Sequence, residues 1–253
     1  MNFCDLTGKN ILVTGASSGL GRATSVLVSK LNGRVCLIGR NEAALDETLS
    51  MMEGAGHIII SIDLCDYSRY DWLFGAVTAE FGMLHGLVHF AGVRKTLPVK
   101  VLKTESLKQM LEINLNAFLE LVRYFTRKHV PDPEGAAIVA VSSVSALRGA
   151  PAMTGYACTK AALDGAVRSL ACEMAPRKIR VNSIAPGHVE TEMNVAVKNT
   201  LSVEAYNQII QTHPLGTGQP TDVANLVAFL LSDEARWITG TTIFIDGGFM
   251  ARS

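Results

Sequence analysis

Tyr156 and Lys160 are the two side chains of this sequence best placed to move a proton. They are four residues apart, so on a helix they share a face that Leu163, Val167 and Leu170 extend inward. A phenol has an ordinary pKa near ~10, and lowering that pKa by about 3 units takes ~4 kcal/mol of preference for the phenolate. A cation within ~4–6 Å favours the phenolate. The spacing therefore predicts that Tyr156 acts as a general acid assisted by Lys160. The same four-residue spacing is also common in exposed pairs of helix residues without a catalytic role.

Ser143 makes this spacing more significant, because it lies thirteen residues before Tyr156, where a predicted strand ends and its crossover begins. Its neighbour Ser142 competes for the same role. However, successive side chains of a strand point to opposite faces, so only one of the two serines can face Tyr156.

Asn114 interrupts the apolar stripe of a helix predicted over 104–129. A buried amide must be hydrogen-bonded, or it destabilises the fold by ~1–3 kcal/mol. Asn114 is therefore a candidate for a specific polar role, and the alternative is a contact with its own helix. The stripe that it interrupts consists of Leu107, Leu111, Leu115, Phe118, Val122 and Phe125.

A glycine-rich turn, from Thr14 to Gly21, follows the first predicted strand and opens directly into a helix. Its three glycines let the backbone turn sharply and approach a pyrophosphate, which the free N–H groups and the dipole of the helix attract. Glycines also serve plain turns, but a strand before and a helix after the turn favour the phosphate-binding interpretation.

Short apolar runs alternate with longer segments of helical period along the whole chain. The predicted strands are Asn10–Val13, Arg34–Ile38, His57–Ile62, Gly86–Phe90, Ala136–Ser142, Ile179–Ala185 and Thr241–Ile245, and the predicted helices lie near 20–31, 41–53, 67–81, 104–129, 154–175 and 221–232. Continuous apolar strands joined by helical crossovers predict an α/β, doubly wound parallel sheet with helices on both faces. The least regular stretch, Gly187–Gly218, is expected to cover a ligand at the carboxyl edge of that sheet.

Composition narrows the class of protein. A chain of 253 residues with 48% apolar and 18% charged residues is expected to form one globular domain, 1–253. The net charge is zero, without the basic excess of a nucleic-acid binder. Five scattered cysteines form no metal or disulfide pattern, and no run of ~18 apolar residues or signal peptide is present. We therefore expect a cytoplasmic protein with no metal, nucleic-acid or membrane partner.

The glycine turn has the spacing G-x-x-x-G-x-G, and with it the chain resembles the short-chain dehydrogenase/reductase family. The resemblance covers essentially the whole chain. Its further motifs are Tyr156-Ala157-Cys158-Thr159-Lys160, Pro186-Gly187, Ile238-Thr239-Gly240 and Asp246-Gly247-Gly248.

The resemblance implies a seven-stranded Rossmann-like sheet and hydride transfer between a nicotinamide coenzyme and a carbonyl carbon. It implies that Tyr156 donates the proton and that Ser143 stabilises the carbonyl oxygen. Lys160 would lower the pKa of Tyr156 and hold the nicotinamide ribose. Asn114 would open its helix locally and hold a water bound to Lys160, which completes a proton path to solvent.

The coenzyme contacts implied by the resemblance follow the strand ends. Asp63 would meet the adenine amino group, Ala91 and Gly92 would lie along the adenosine ribose, and Val189 and Thr191 would meet the nicotinamide carboxamide or the phosphates. The full expected set is Gly15, Ser17, Ser18, Gly19, Leu20, Gly21, Arg40, Asp63, Leu64, Ala91, Gly92, Tyr156, Lys160, Pro186, Gly187, Val189 and Thr191.

One position departs from the family, because His89-Phe90 stands where the family usually has Asn-Asn. The family's asparagine ties neighbouring strands together. We therefore expect His89 to replace that bonding as a buried, hydrogen-bonded core residue rather than to act in catalysis.

The end of the second strand predicts NADP(H) over NAD(H). No carboxylate stands there to bind the ribose hydroxyls of NAD, Gly39 leaves space, and Arg40 can bind a 2′-phosphate. Arg22 is a second candidate phosphate contact. In the alternative interpretation, Arg40 only starts the next helix, with Glu42 as its ion partner.

The C-terminal motifs resemble the 3-oxoacyl-(acyl-carrier-protein) reductase branch of the family. A carrier-bound substrate would need a basic rim, for which Arg127, Lys128, Arg177 and Lys178 are candidates; the alternative is a solvated face. A sugar, polyol or other alcohol is the alternative substrate class, and a dinucleotide-binding sensor without turnover is the alternative outside enzymes.

We expect a homo-oligomer, specifically a tetramer. The small residues of the 154–175 helix permit close approach of another helix, and the resemblance implies a four-helix interface between two subunits. These small residues, whose alternative position is against the chain's own core, are Ala157, Ala161, Ala162, Gly165 and Ala166.

Overall fold

The computed structural model describes residues 4–198 and 202–252 and contains one seven-stranded parallel sheet. The strands are β1 (Asn10–Thr14), β2 (Arg34–Gly39), β3 (Ile58–Ser61), β4 (Gly86–His89), β5 (Ala136–Val141), β6 (Ile179–Pro186) and β7 (Thr242–Ile245). Their order is β3-β2-β1-β4-β5-β6-β7, and every neighbouring pair is parallel. The predicted doubly wound sheet is confirmed. Each observed strand differs from its predicted range by one residue at one or both ends.

The helices that cover the sheet are α1 (Gly19–Lys30), α2 (Glu42–Ser50), α3 (Tyr70–Phe81), α4 (Thr104–Leu111), α5 (Ala117–Phe125), α6 (Thr154–Met174), α7 (Glu192–Lys198), α8 (Val203–Gln211) and α9 (Pro220–Leu231). Alternate strand residues supply two separate cores. Leu12 and Leu87 pack on the side of α3, α5 and α6, and Ile11 and Val13 pack on the side of α1, α2 and α9. Strands buried on both faces explain why the apolar runs show no polar alternation.

The chain order of the strands reverses between β1 and β4. The crevice outside the carboxyl ends of these strands is where doubly wound sheets bind ligands. The loops after β1, β2, β3, β4, β5 and β6 carry the candidate site residues, so the fold brings them to this one edge.

The helix predicted over 104–129 is divided. α4 and α5 are joined by a π-helical turn, Glu112–Asn116, in which the N–H of Ala117 bonds to the carbonyl of Glu112. α5 ends at Phe125. A π-turn inserts one residue into the helical register, and Asn114 lies within it.

The segment 187–218 differs from the irregular stretch that was expected, because it contains α7 and α8. Its two ends are tied by hydrogen bonds from Glu190 N–H to the carbonyl of Gly218 (2.9 Å) and from Gly218 N–H to the carbonyl of His188 (2.9 Å). Residues 199–201 of this segment lie outside the described residues.

None of the helices in the described ranges is long and apolar enough to cross a membrane. In the same ranges, no group of three or more His, Cys, Asp or Glu side chains is arranged to hold a metal ion.

Candidate active site

The glycine-rich turn between β1 and α1 is built to approach an anion. Gly15 and Gly19 have φ angles of 66° and 50°, which side chains rarely adopt. A Cβ atom on Gly21 would lie 2.1 Å from the carbonyl oxygen of Gly15, so this close crossing needs glycine. Ser18, which precedes α1, makes no side-chain capping bond to the first N–H groups of the helix. The expected turn, which includes Ser17 and Leu20, therefore fits a pyrophosphate at a helix N-terminus.

The end of β2 packs closely beside this turn. A Cβ atom on Gly39 would lie 3.2 Å from Cδ2 of Leu45 and 3.5 Å from the hydroxyl oxygen of Ser17, so the position favours glycine. Arg40 follows and is exposed, and it forms no ion pair with any residue that the structure describes, Glu42 included.

Arg22 is not a free phosphate contact, which corrects the sequence expectation. Its guanidinium pairs with Glu47 at 2.7 Å and donates to the carbonyl of Ser17 at 2.7 Å. Glu47 is 25 residues away on α2, so the sequence pattern of the glycine turn does not show this ion pair.

The loops after β3 and β4 border the same crevice. Asp63 is exposed, and its carboxylate accepts the N–H of Cys65 at 3.0 Å, while the next residue, Leu64, is buried. The N–H of Ala91 donates to the Thr14 hydroxyl at 3.3 Å, which ties the β4 loop to β1.

Gly92 lies against the candidate catalytic groups. A Cβ atom on Gly92 would lie 3.1 Å from Oδ1 of Asn114 and 3.6 Å from Nζ of Lys160. A glycine here keeps the space beside both groups open.

The loop after β6 reaches the glycine-rich turn. β6 ends at Pro186, and a Cβ atom on Gly187 would lie 2.9 Å from Nε2 of His213. Val189 is buried, and Cγ2 of Thr191 would lie 3.5 Å from a Cβ atom on Gly19. These expected coenzyme residues therefore lie on both sides of one crevice.

Tyr156, Ser143 and Lys160 come together where β5 ends and α6 begins. The Ser143 hydroxyl lies beside the Tyr156 phenol, whose pKa it lowers, and accepts the N–H of Ser145 at 3.1 Å. Nζ of Lys160 lies 5.8 Å from the centre of the Tyr156 ring, and Lys160 is 4% exposed. The shared helical face predicted from the four-residue spacing is confirmed.

Burial controls the protonation of both groups. Desolvation lowers the pKa of Lys160 to about 8, and the nearby Asp164 carboxylate opposes this change. Desolvation also raises the pKa of Tyr156, against the charge of Arg94 and the hydrogen bond from Ser143. The charge of Arg94 therefore favours the phenolate, an effect that the sequence analysis assigned to Lys160 alone.

Asn114 is fully buried and uses its side chain to join three elements. Its Oδ1 accepts the N–H of Val93 at 2.8 Å, and its Nδ2 donates to the carbonyl of Val93 at 2.9 Å and to the Thr159 hydroxyl at 3.0 Å. The alternative in which Asn114 contacts its own helix is wrong, since all three partners lie outside it.

A buried carboxylate supports the base of the site. Asp164, one turn after Lys160, accepts the Ser142 hydroxyl at 2.9 Å and the Ser183 hydroxyl at 2.8 Å. Ser142 therefore faces away from Tyr156, as strand alternation predicts. Asp164 was not identified from the sequence, although its four-residue spacing from Lys160 on a buried helix face was a usable signal.

His89 is 1% exposed, and its Nδ1 lies 3.0 Å from the Thr14 hydroxyl, so it joins β4 to β1 as expected. Its Nε2 faces the backbone of Ile113 without a hydrogen bond of normal geometry. The expected fully hydrogen-bonded histidine is therefore only half satisfied. Desolvation, assisted by the charge of Lys160, lowers the pKa of His89 to about 3, which keeps the ring neutral.

A cavity of about 370 Å³ opens beside Ser143. Most of its lining belongs to the 187–218 segment, and α8 closes one side. Arg94 and His188, which the sequence analysis did not single out, face it from two loops; each follows a predicted glycine motif by one or two residues. The lining residues are Arg94, Ser143, Val144, Ser145, Gly187, His188, Asn194, Gln208, Ile209, Thr212, His213 and Phe249.

The expected basic rim is at the opposite edge of the molecule. Lys178 directly precedes β6 and pairs with Glu134 at 3.2 Å, and Arg127 pairs with Asp71. Both lie at the amino ends of strands, whereas the candidate site lies at their carboxyl ends. The rim expectation is therefore wrong for this site.

Comparisons with known proteins agree with this geometry. The family model described as enoyl-(acyl carrier protein) reductase matches residues 15–250. The 3-oxoacyl-(acyl-carrier-protein) reductase FabG of Rickettsia felis is 36% identical over 248 residues, which cover 97% of this chain and 98% of the relative.

Two solved structures extend the comparison. A short-chain type dehydrogenase/reductase from Mycobacterium ulcerans has a TM-score of 0.90 at 30% identity and covers 98% of this chain and 92% of its own. The aldohexose dehydrogenase of Thermoplasma acidophilum, in ligand-free form, has a TM-score of 0.87 at 25% identity and covers 100% of this chain and 98% of its own.

Proposed function

The chain belongs to the short-chain dehydrogenase/reductase family and is a carbonyl-reducing oxidoreductase, and we propose that it uses NADP(H) with Tyr156 as proton donor. The observation that carries the proposal is the placement of Ser143 beside the Tyr156 phenol, where its hydroxyl favours the phenolate, at the wall of a cavity and one helical turn from a buried lysine. The bound coenzyme supplies the hydride chemistry.

The protein's own side chains transfer the proton, stabilise the carbonyl oxygen and position the coenzyme. Tyr156 donates its proton to the carbonyl oxygen as negative charge develops there, and Ser143 donates a hydrogen bond to the same oxygen. Lys160 favours the phenolate and binds the nicotinamide ribose. Asn114 keeps the π-helical turn open so that a water can relay protons to Lys160, and its bonds to Val93 and Thr159 support this positioning.

The proposal of NADP(H) rests on the end of β2. A 2′-phosphate carries about two negative charges, and the exposed guanidinium of Arg40 can bind it with a planar pair of donors. The Ser17 hydroxyl lies beside Gly39, within reach of the same strand end, and is a second candidate donor to the phosphate. No carboxylate side chain occupies Arg34–Gly39, the strand whose end would otherwise bind the ribose hydroxyls of NAD.

A 3-oxoacyl group on a carrier protein is the first candidate substrate. The name of the Rickettsia felis relative, aligned over nearly the whole of both chains, supports it. A sugar, polyol or other alcohol is the second candidate. The polar lining of the cavity, with Gln208, Thr212 and two histidines, favours it, as does the likeness to an aldohexose dehydrogenase.

The organisation of the molecule is part of the proposal. We assign 1–253 to one dinucleotide-binding and catalytic domain, in which 187–218 covers the substrate. We also propose a cytoplasmic homotetramer. The small-residue side of α6 supports it, because Ala161 and Ala162 are exposed rather than packed in the chain's own core.

The test is coenzyme oxidation by the purified protein across a carbonyl panel that contains an acetoacetyl thioester, aldoses and simple ketones. We expect turnover of at least one carbonyl, with NADPH preferred to NADH. A protein that binds NADPH but oxidises it with no member of the panel contradicts the catalytic proposal, and equal or better use of NADH contradicts the coenzyme proposal.

A further inference from the structure

The cavity beside Ser143 holds a cation without a counter-ion. Arg94 follows Gly92 on the β4 loop and is only partly exposed. Across residues 4–198 and 202–252 its guanidinium makes neither an ion pair nor a hydrogen bond. A partly buried guanidinium without partners is costly, because its desolvation is not compensated.

The two histidines that line the cavity carry no negative charge that could pair with Arg94. His213 has one ring nitrogen, Nε2, that accepts the N–H of His188 at 3.0 Å, and its Nδ1 lies 3.0 Å from the carbonyl of Ile209. Both ring nitrogens of His213 are therefore bonded to the backbone. Burial lowers the pKa of His188, which disfavours a charge on this ring. Arg94 is therefore the single permanent charge among the described lining residues.

Two carboxylates on the segments next to the cavity are engaged elsewhere. Glu190 accepts the Tyr206 hydroxyl at 3.0 Å. Asp246 accepts the N–H groups of Gly248 (2.9 Å) and Met250 (2.8 Å). Neither residue lines the cavity, so the described lining offers Arg94 no negative charge, and an anionic ligand would supply one.

Two further atoms indicate a polar ligand. Nε2 of His188 and Oδ1 of Asn194 are buried without hydrogen-bond partners, and both side chains line the cavity. Buried polar atoms in native proteins are almost always satisfied by protein, water or ligand. An apolar acyl chain in this cavity would leave them unsatisfied.

We propose that Arg94 is the anion-binding residue of the substrate site and that the substrate is a small oxo acid. Its carboxylate pairs with Arg94 while its carbonyl lies between Ser143 and Tyr156. The cavity of about 370 Å³ has room for such an acid. The inference rests on the proposed carbonyl reduction and replaces the carrier-bound thioester as the preferred substrate class, since a neutral thioester leaves the guanidinium unpaired.

The first test is binding without turnover. Calorimetry with the protein loaded with NADP⁺ compares acetoacetate with its neutral methyl ester, methyl acetoacetate. The matched variants are Arg94→Met and Lys95→Met; the ammonium of Lys95 bonds to Gln109, and the side chain does not line the cavity. We expect acetoacetate to bind more tightly than the ester, and Arg94→Met to weaken its binding by about 10- to 100-fold. Lys95→Met should leave both affinities unchanged.

The second test is turnover with NADPH, which separates this inference from the proposed function. We expect Arg94→Met to lower the ratio of kcat/KM for acetoacetate to kcat/KM for the ester, and Arg94→Lys to restore part of it. Wild-type protein that binds and reduces the ester or an acetoacetyl thioester as well as the acid overturns the inference and leaves carbonyl reduction standing. Absence of all turnover contradicts the function, and the calorimetry then decides the anion site alone.

Discussion

The ammonium group of Lys160 donates a 2.6 Å hydrogen bond to the carbonyl oxygen of Val141, the last residue of β5. This bond ties the middle of α6 to the strand end that carries the serines, and it leaves the ammonium 5.8 Å from the centre of the Tyr156 ring. The lysine is thus held inside the protein by a single backbone oxygen and by the field of Asp164.

Lys160→Met should change how stability depends on alkaline pH. The folded-state pKa of Lys160 is about 8, below its ordinary value of 10.5, so between these values the unfolded chain binds more protons. Stability contributed by this group therefore rises with pH across that window. We expect the free energy of unfolding of wild type minus Lys160→Met to increase from about pH 8 to about pH 10.5 in urea titrations. The exposed control Lys100→Met should give a flat difference, and a flat or falling difference for Lys160→Met contradicts the buried lysine.

His89→Asn should change how the free energy of unfolding depends on acidic pH. The folded-state pKa of His89 is about 3, below its ordinary value of 6.5, so the unfolded chain takes up a proton that the folded chain refuses. The free energy of unfolding of wild type minus His89→Asn should therefore fall as pH drops below about 6.5. The exposed His129, whose φ of 68° asparagine tolerates, provides the control His129→Asn. An equal acid response in wild type and His89→Asn would show that His89 is protonated or accessible when folded.

Gly21→Ala should damage the glycine-rich turn. Its new methyl group would lie 2.1 Å from the carbonyl oxygen of Gly15, so the turn must shift. We expect the free energy of unfolding to fall by about 1–3 kcal/mol, as for other overpacked sites. Coenzyme affinity should fall as well. The control is Gly75→Ala in α3, where a Cβ atom meets nothing within 4 Å and alanine should stabilise the helix by about 0.5–1 kcal/mol. Similar effects of the two substitutions would remove Gly21 from the phosphate turn.

Arg40→Ala should weaken the choice of coenzyme. Loss of a hydrogen-bonded charge at the 2′-phosphate reduces the preference for NADPH over NADH by roughly 1.5–3 kcal/mol in kcat/KM. The measurement is kcat/KM with each coenzyme for wild type, Arg40→Ala and Arg40→Lys, of which the last should keep part of the preference. An unchanged preference in Arg40→Ala contradicts the phosphate assignment.

The sheet could be predicted from the sequence because its strands are buried on both faces and therefore read as continuous apolar runs. The glycine turn and the Tyr156 and Lys160 spacing were equally visible, since each lies within one short stretch of the sequence. These features depend on local sequence alone.

The family resemblance implied a local opening of the helix at Asn114, but the composition of the segment did not show its π-helical form, and the helices α7 and α8 were not predicted. A π-turn adds one residue to a helix without a change in composition, and short helices of 7 and 9 residues are stabilised by packing rather than by propensity. The pairing of Arg22 with Glu47 and the isolation of Arg94 depend on contacts between distant segments, which one sequence does not contain.

Tyr156→Phe tests the central claim most directly, with kcat and the NADP⁺ dissociation constant measured on the same preparations. The account predicts a loss of ~10²–10⁴-fold in kcat with nearly unchanged coenzyme affinity, because the ring packs as before and only the acidic hydroxyl is missing. The control is Tyr124→Phe on α5, which removes a hydroxyl that bonds to Asp71 of α3 at 3.1 Å. This variant should keep full kcat. Retention of more than about a tenth of wild-type kcat by Tyr156→Phe contradicts the role of Tyr156 as the proton donor.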